Sequence, residues 1–527
     1  MRYLWTLVLI PLSLAGQRFY ADDPLEFEPK PRNVPMAANR KLSDYYDLFS
    51  NQFGRPGERN SELGEPTRAK GVSTLGEPMQ GAWWMKRHYY KRMSLEALQL
   101  GAGGRTPPSE GKWTIVSAKN EGVTPGFTVV DGAKRMFFVK FDPMSNPEMA
   151  TAADAVTGRL FHAMGYHVPD NYIVYFSEER LEIGKDVKIT GMLGKKRPMV
   201  WADVEEILRK VPKTADGKYR ATASLALPGK PIGPPRYFGT RADDPNDVVP
   251  HEHRRDYRGL HVIDAWLDHD DSRAINNIDI LVKEGGAQYI RHYQLDFGST
   301  LGSATAKANS ARSGTYFFSW KESAAQLFTL GLYVPYWAKA DYPKFESIGK
   351  FEYKVFDPER WVPEYPNVAF LNRLPDDEFW AAKQVTAFTD EELKAIVAKG
   401  ELSDAKAAEW LWRCLVERRN KIGRAYFTKV LPFDEFRVEG GELRWTDLPA
   451  KLGYWGETAV DVQWSSFDNG AGRKSPIAGQ SGTKLPAMRE GYWCATLTSR
   501  SKKTQTIDVY LRYSGGETAV VGIDRTW

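Results

Sequence analysis

Asp271-Ser-Arg273-Ala-Ile-Asn276, followed downstream by Asp296-Phe297-Gly298, is the stretch that decides how this chain is read. It sets an acid, a cation and an amide on one short loop, and a second acid beyond a predicted β-hairpin. Ile278–Val282, Gly285-Gly286 and Tyr289–Leu295 supply that hairpin's strand, turn and strand. Phosphoryl transfer needs such parts: one acid to orient the attacking oxygen, and an Asn with a second Asp to hold Mg²⁺ on the phosphates. A bare Asp-Phe-Gly arises readily by chance. The order of what precedes it gives it weight.

Working upstream, Trp113–Ala118 reads as a strand, Asn120–Gly126 as a turn-rich loop and Phe127–Val130 as a second strand. Asp131-Gly132 signals a hairpin into a third strand, Met136–Phe141. Asn146 with Pro147 then predicts the start of a helix running to about Met164 and closed by Gly165. Tyr172–Phe176 resumes strand character. A helix near Ala202–Val211, a strand near Tyr219–Leu227 and a Pro/Gly-rich crossing at Pro228–Pro235 follow, the last suited to a hinge. His253–Leu267 has helical spacing and delivers the chain to the Asp271 loop.

Lys140 ends the apolar strand, and the helix after it carries two carboxylates. Glu148 sits in the first predicted turn, where the helix dipole favours an acid in any case. Asp154 sits mid-helix among Ala152, Ala153 and Ala155, where an acid without a partner is less expected, although its side chain is short. The loop containing Gly122 and Gly126 has the backbone freedom to fold over phosphates, but a plain hairpin turn explains it equally well.

Together, the Asp-x-Arg-x-x-Asn step, the later Asp-Phe-Gly and the strand lysine resemble the protein-kinase-like superfamily. The likeness is closest to its atypical branches: HipA-type, phosphatidylinositol-kinase-like and secretory-pathway kinases. Tyr166-His-Val-Pro169 is similar to a turn of the HipA-type group, and Glu121–Gly126 with Phe138–Pro143 resembles exported bacterial proteins of this kind. The resemblance covers about residues 113–300, with supporting helices to about 427. It implies Asp271 as the acid orienting a hydroxyl and Arg273 as a cation for the transferring phosphoryl. It also implies Asn276 and Asp296 as Mg²⁺ (or Mn²⁺) ligands, with Lys140, one of the two helix acids, Gly122 and Gly126 toward ATP. An alternative register uses Asp270 with Asn276 or Asn277, but only Asp271 to Asn276 keeps the five-residue step. Two departures stand out: His269-Asp270-Asp271 replaces the usual His-Arg-Asp, and no Ala-Pro-Glu follows Gly298.

Across its 527 residues the chain carries a net charge of +5, with Lys and Arg scattered among nearly as many acids. No dense basic stripe argues for nucleic acid. Met1-Arg2, an apolar run to Leu14 and the small pair Ala15-Gly16 have the layout of a secretory signal peptide. Export follows as an expectation: periplasmic or extracellular in a bacterium, secretory-pathway in a eukaryote, with no transmembrane span in the mature chain. The two cysteines, Cys414 and Cys494, are expected as separate buried thiols. His251, His253, His261 and His269 lack a metal-site spacing. Arg254, Arg255 and Arg258 are expected to bridge lobes or face phosphate.

The expected fold is thus α+β: a two-lobed protein-kinase-like fold with an N-terminal wrapping extension and a small C-terminal β domain. Its predicted parts are a signal peptide at 1–16, an extension at 17–110, an N-lobe at 111–232, a helical C-lobe at 233–430 and a β-rich domain at 431–527. The expected partners are a nucleotide and an unidentified hydroxyl acceptor, whether protein, lipid head group or small molecule. Two other function classes stay open: a catalytically silent kinase-fold binding module, and a carbohydrate- or peptide-binding envelope protein using its C-terminal domain.

Overall fold

The computed structural model describes residues 16–103, 106–119, 125–190, 196–329 and 332–527. Helix and sheet are mixed, making the protein α+β. The chain divides into two compact units: Phe27–Val72 with Pro78–Lys429, and Val430–Trp527 with Ser73–Glu77 and the described residues up to Glu26. The stretch expected as one N-terminal extension is therefore divided between both units. The predicted signal peptide, except for Gly16, lies outside the described residues.

In the larger unit a six-stranded sheet runs in the order Asn171–Phe176, Tyr219–Leu225, Met136–Phe141, Gly126–Val130, Trp113–Lys119, Leu181–Ile183. All pairs are antiparallel except the last. Alternation along Met136–Phe141 buries Phe137, Val139 and Phe141 and turns Met136, Phe138 and Lys140 to the other face. The buried set joins Trp113, Phe127 and Phe176 against the helix Trp201–Leu208. Each such large apolar side chain contributes about 1.5–3 kcal/mol when fully buried. Because the period is two, a one-residue slip would drive Lys140 into that core, so the core fixes the lysine's direction.

The helix after this strand spans Met149–Ala163 and is buried on nearly every side. It starts later than the sequence suggests, after Glu148 in the left-handed region (φ 70°). Asn146 is not its cap: the Asn146 amide donates to the Glu346 carbonyl at 2.9 Å, and Asp142 accepts from the Thr151 N–H at 2.9 Å instead. Gly165 closes the helix at φ 104°, where a Cβ would come within 2.2 Å of Trp84 Nε1. That indole donates to the Met164 carbonyl, so Trp84 is anchored where only glycine leaves room.

Pro228–Pro235 is more than a crossing. Lys230–Pro231 pairs antiparallel with Ile280 and Leu281 as the edge of a three-stranded sheet completed by Asn277–Glu284 and Ala287–Gln294. An edge tolerates Pro231 because its missing N–H faces no partner strand. The helices Arg255–Leu267, Pro375–Thr386, Asp390–Val397 and Ala405–Tyr426 make up much of the rest. The last of them is capped by Asp404, which accepts from the Lys406 N–H, and not by Ser403. Among the described residues no helix is long and apolar enough to cross a membrane.

The smaller unit has a hairpin, Phe433–Glu439 with Glu442–Asp447, and a five-stranded antiparallel sheet formed from Val460 to Arg525. Leu443, Trp464, Leu497 and Leu511 fill one core. Phe19 packs with Phe467, Tyr510 and Val521 in a second cluster. Cys494 is buried here and Cys414 in the larger unit, both as free thiols.

Candidate active site

Lys140 leaves the sheet on the face opposite the apolar core, and its Nζ donates to Asp296 Oδ1 at 2.7 Å. Asp296 follows the Ala287–Gln294 strand in the left-handed region at φ 60°, which a non-glycine residue adopts at a cost and which recurs at functional sites. Behind this pair lies Asp154, buried in the middle of the Met149–Ala163 helix. Burial pushes the Asp154 carboxyl up to about 6; Lys140 pulls it down, Asp296 pushes it further up, and the Phe297 N–H donates to it. Burial also works against the Lys140 charge, but Asp296 and Asp154 outweigh it and hold the ammonium above its ordinary range. The result is a cation set between two acids from different elements.

Phe297 fixes the segment from below. It is fully buried, and its ring lies 4.8 Å from that of Phe161 on the helix and 6.4 Å from that of His269. Thr300 is hydrogen-bonded to Thr157 at 2.7 Å. Helix, Asp-Phe-Gly segment and the start of the Asp271 loop therefore share one packed joint. His269 is held by Asp264 at 3.3 Å.

On the loop, Asn276 Nδ2 donates to the Asp271 carbonyl at 2.6 Å and to Asp271 Oδ2 at 3.1 Å. Arg273 Nε forms an ion pair with Asp271 Oδ1. The Leu295 N–H donates to the Asn276 carbonyl at 2.9 Å, which sets Asn276 and Asp296 at the same end of the hairpin. The neighbouring acids are occupied differently. Asp270 accepts from Asn309 at 3.0 Å and Ser313 at 2.9 Å, and burial with Asp268 and Asp271 pushes it up to about 8. Asn277 is buried and donates to Tyr237 Oη and the Arg273 carbonyl. Of the two registers, Asp271 with Asn276 is the pair that meets.

Asp271, Arg273, Asn276 and Asp296 line an open cleft of about 680 Å³, together with Asp44, Glu364 and Tyr316. The other expected residues are placed elsewhere. Glu148 turns away and accepts from the Ser403 N–H at 2.8 Å. Gly126 pairs directly with Lys140 across the strands, and a Cβ there would lie 2.6 Å from the Val139 carbonyl oxygen, so strand packing already accounts for it. Gly122 lies outside the described residues. Arg254 pairs with Asp256 and Glu28, and Arg255 and Arg258 pair with Asp376 and Asp377 of another helix. His251 and His253 are held by Asp247 and Glu58. Among the described residues no three His, Cys, Asp or Glu side chains converge as a metal-binding group.

Two site residues escaped the sequence reading. Asp47 is buried and accepts from the Ala274 N–H at 3.2 Å, while Asn51 donates to it at 2.8 Å. Burial pushes it up to about 6, against the pull of the Ala274 N–H and Arg273. Asp44 accepts from Arg273 through its carbonyl at 3.4 Å. Asp47 and Ala274 are 227 residues apart, and no local pattern announces such a contact.

No protein-family model and no curated protein matches the chain. Among solved structures, the Golgi casein kinase with Mn/ADP bound is similar over 77% of this chain and 95% of its own, at 10% identity and a TM-score of 0.30. A second structure of the Golgi casein kinase covers 76% and 96%, at 10% identity and a TM-score of 0.28. Likenesses this loose transfer no residue's role.

Proposed function

We propose that this protein is an exported, atypical kinase-like phosphotransferase with a two-lobed catalytic region. It binds ATP with a divalent cation and transfers phosphoryl to a hydroxyl acceptor. The observation that carries the reading is the Lys140–Asp296 pair at 2.7 Å, backed by buried Asp154 and set at the edge of the cleft that Asp271 and Asn276 share. The donors fit Mg²⁺ or Mn²⁺: Asp296 and the Asn276 amide oxygen are hard oxygen ligands. Magnesium in nucleotide sites is typically held by one or two carboxylates plus substrate phosphates. The bound cation would neutralise charge on the phosphates.

Each residue's part follows from its place. Lys140 supplies a positive charge that Asp296 and Asp154 both stabilise. Phe138 lies two residues back on the same strand face and is 46% exposed, offering an apolar ring for a base about 6–7 Å from the lysine. Asp271 accepts the hydrogen bond of the acceptor hydroxyl, and Asn276 orients its carboxylate. Arg273 is placed to meet developing negative charge once it releases Asp271.

A nucleotide-binding module without turnover is the second reading. The Arg273–Asp271 ion pair favours it, because it neutralises the acid that turnover needs. Incubation with γ-labelled ATP and hydroxyl-bearing acceptors separates the two. Transfer that disappears in Asp271→Asn supports the phosphotransferase, and nucleotide binding with no transfer supports the silent module.

A further inference from the structure

The segment that brings Asp47 to the cleft has its polarity inside out. Asp47 and Asn51, four residues apart, point inward and are 2% and 3% exposed. Tyr45, Phe49 and Phe53, at the same step, point outward and are 66%, 64% and 61% exposed. The segment is helical, ending in a π-helix over Leu48–Gly54, a form that recurs at functional sites. Solvated aromatic rings in a row gain nothing from folding, whereas contiguous exposed apolar surface marks an interaction site. The row begins one residue after Asp44, which lines the cleft.

We infer that Tyr45, Phe49 and Phe53 form a docking ladder for an extended polypeptide with apolar side chains at alternate positions and a Lys or Arg at the end entering the cleft. Three observations select this occupant. Successive ring centroids are 6.4 Å apart, which matches the spacing of alternate side chains on an extended strand, about 6.4–6.8 Å. The rings are inclined to one another by 61° and 41°, so they make notches that receive side chains and not the level platform a sugar ring stacks on. Leaving aside Asp270, which burial keeps protonated, the cleft is lined by four carboxylates and two guanidiniums, a surplus that favours a cationic segment. The inference deepens the proposed function by naming a polypeptide as the acceptor class, and it rests on that reading only for what happens after docking.

The test is fluorescence anisotropy on the full chain, without nucleotide or metal, so that failure of phosphotransfer leaves the result untouched. The probes are synthetic octapeptides with two leading lysines and Val, Leu or Phe at alternate positions. The wild type should bind members of this set, with affinity about tenfold lower in Phe49→Ser/Phe53→Ser, a loss typical of aromatic anchors. Replacing the lysines by glutamates should also weaken binding. Circular dichroism reports whether the double variant folds; if it does not, peptides with Ser at the alternate positions ask the same question of the wild type. No binding to any peptide overturns the inference, as does binding unchanged by the double variant or by the Ser peptides. Ladder-dependent binding of chitohexaose, or a dimer that the double variant dissolves, replaces it with a glycan or self-association surface.

Discussion

Lys140 and Asp296, 156 residues apart in the chain, meet in an ion pair of 2.7 Å between a sheet strand and the segment after a hairpin. Both side chains stay more than a third exposed, so the contact is a weak contributor to stability. Its use is to hold a cation and an acid where a phosphate chain would lie.

Lys140→Ala should therefore weaken nucleotide binding more than it destabilises the fold. A charge-assisted hydrogen bond to phosphate contributes roughly 1.5–3 kcal/mol, about tenfold or more in affinity. Isothermal calorimetry with ATP and Mg²⁺ measures the first quantity and urea unfolding the second. A variant that loses stability while keeping its affinity contradicts this role.

Metal binding should depend on nucleotide. With only Asn276 and Asp296 proposed as the protein's ligands, Mn²⁺ alone should bind weakly. Adding ADP should tighten it at least tenfold by linkage. Paramagnetic relaxation of water protons, titrated with and without ADP, reads this directly. Equal Mn²⁺ affinity in both titrations would place the ion elsewhere.

Phe297→Ala should destabilise the larger unit by about 3–5 kcal/mol, because it opens a cavity where Phe161 and His269 meet. Phe297→Leu should cost less. Denaturant midpoints of the two variants give the ranking. Similar midpoints for both and for the wild type would mean that the joint is not packed as described.

Asp47 sets a pH dependence whose sign can be worked out. Its carboxyl titrates at about 6 in the folded chain, raised by burial from an ordinary value of 3.8. Between these values the folded state binds more protons than the unfolded one. Stability therefore falls as pH rises through this window and is flat above it. The wild type should lose on the order of 3 kcal/mol relative to Asp47→Asn between pH 4 and 7. Urea unfolding of both proteins across that range supplies the difference. A difference that grows in the opposite direction contradicts the burial of this acid beneath the loop.

Much of the local structure was legible because it obeys short-range rules. The alternation that points Lys140 away from Phe137 and Val139 is visible in six residues, and Asp131-Gly132 marks the hairpin before them. Asp154 stood out as an acid inside an alanine-rich helix. What stayed hidden depends on distant partners. Asn146 is drawn off its capping role by the Glu346 carbonyl, and Glu148 by the Ser403 N–H, 255 residues on. Arg255 and Arg258 looked available for phosphate because their acids, Asp376 and Asp377, lie on another helix. Asp47 reaches Ala274 from a stretch with little periodicity of its own.

The most direct test of the central claim is calorimetric titration of ATP into the protein with and without Mg²⁺, beside Asp296→Asn. The account predicts Mg²⁺-dependent binding in the wild type and its loss in the variant. Binding absent from the wild type, or unchanged by the substitution, contradicts it.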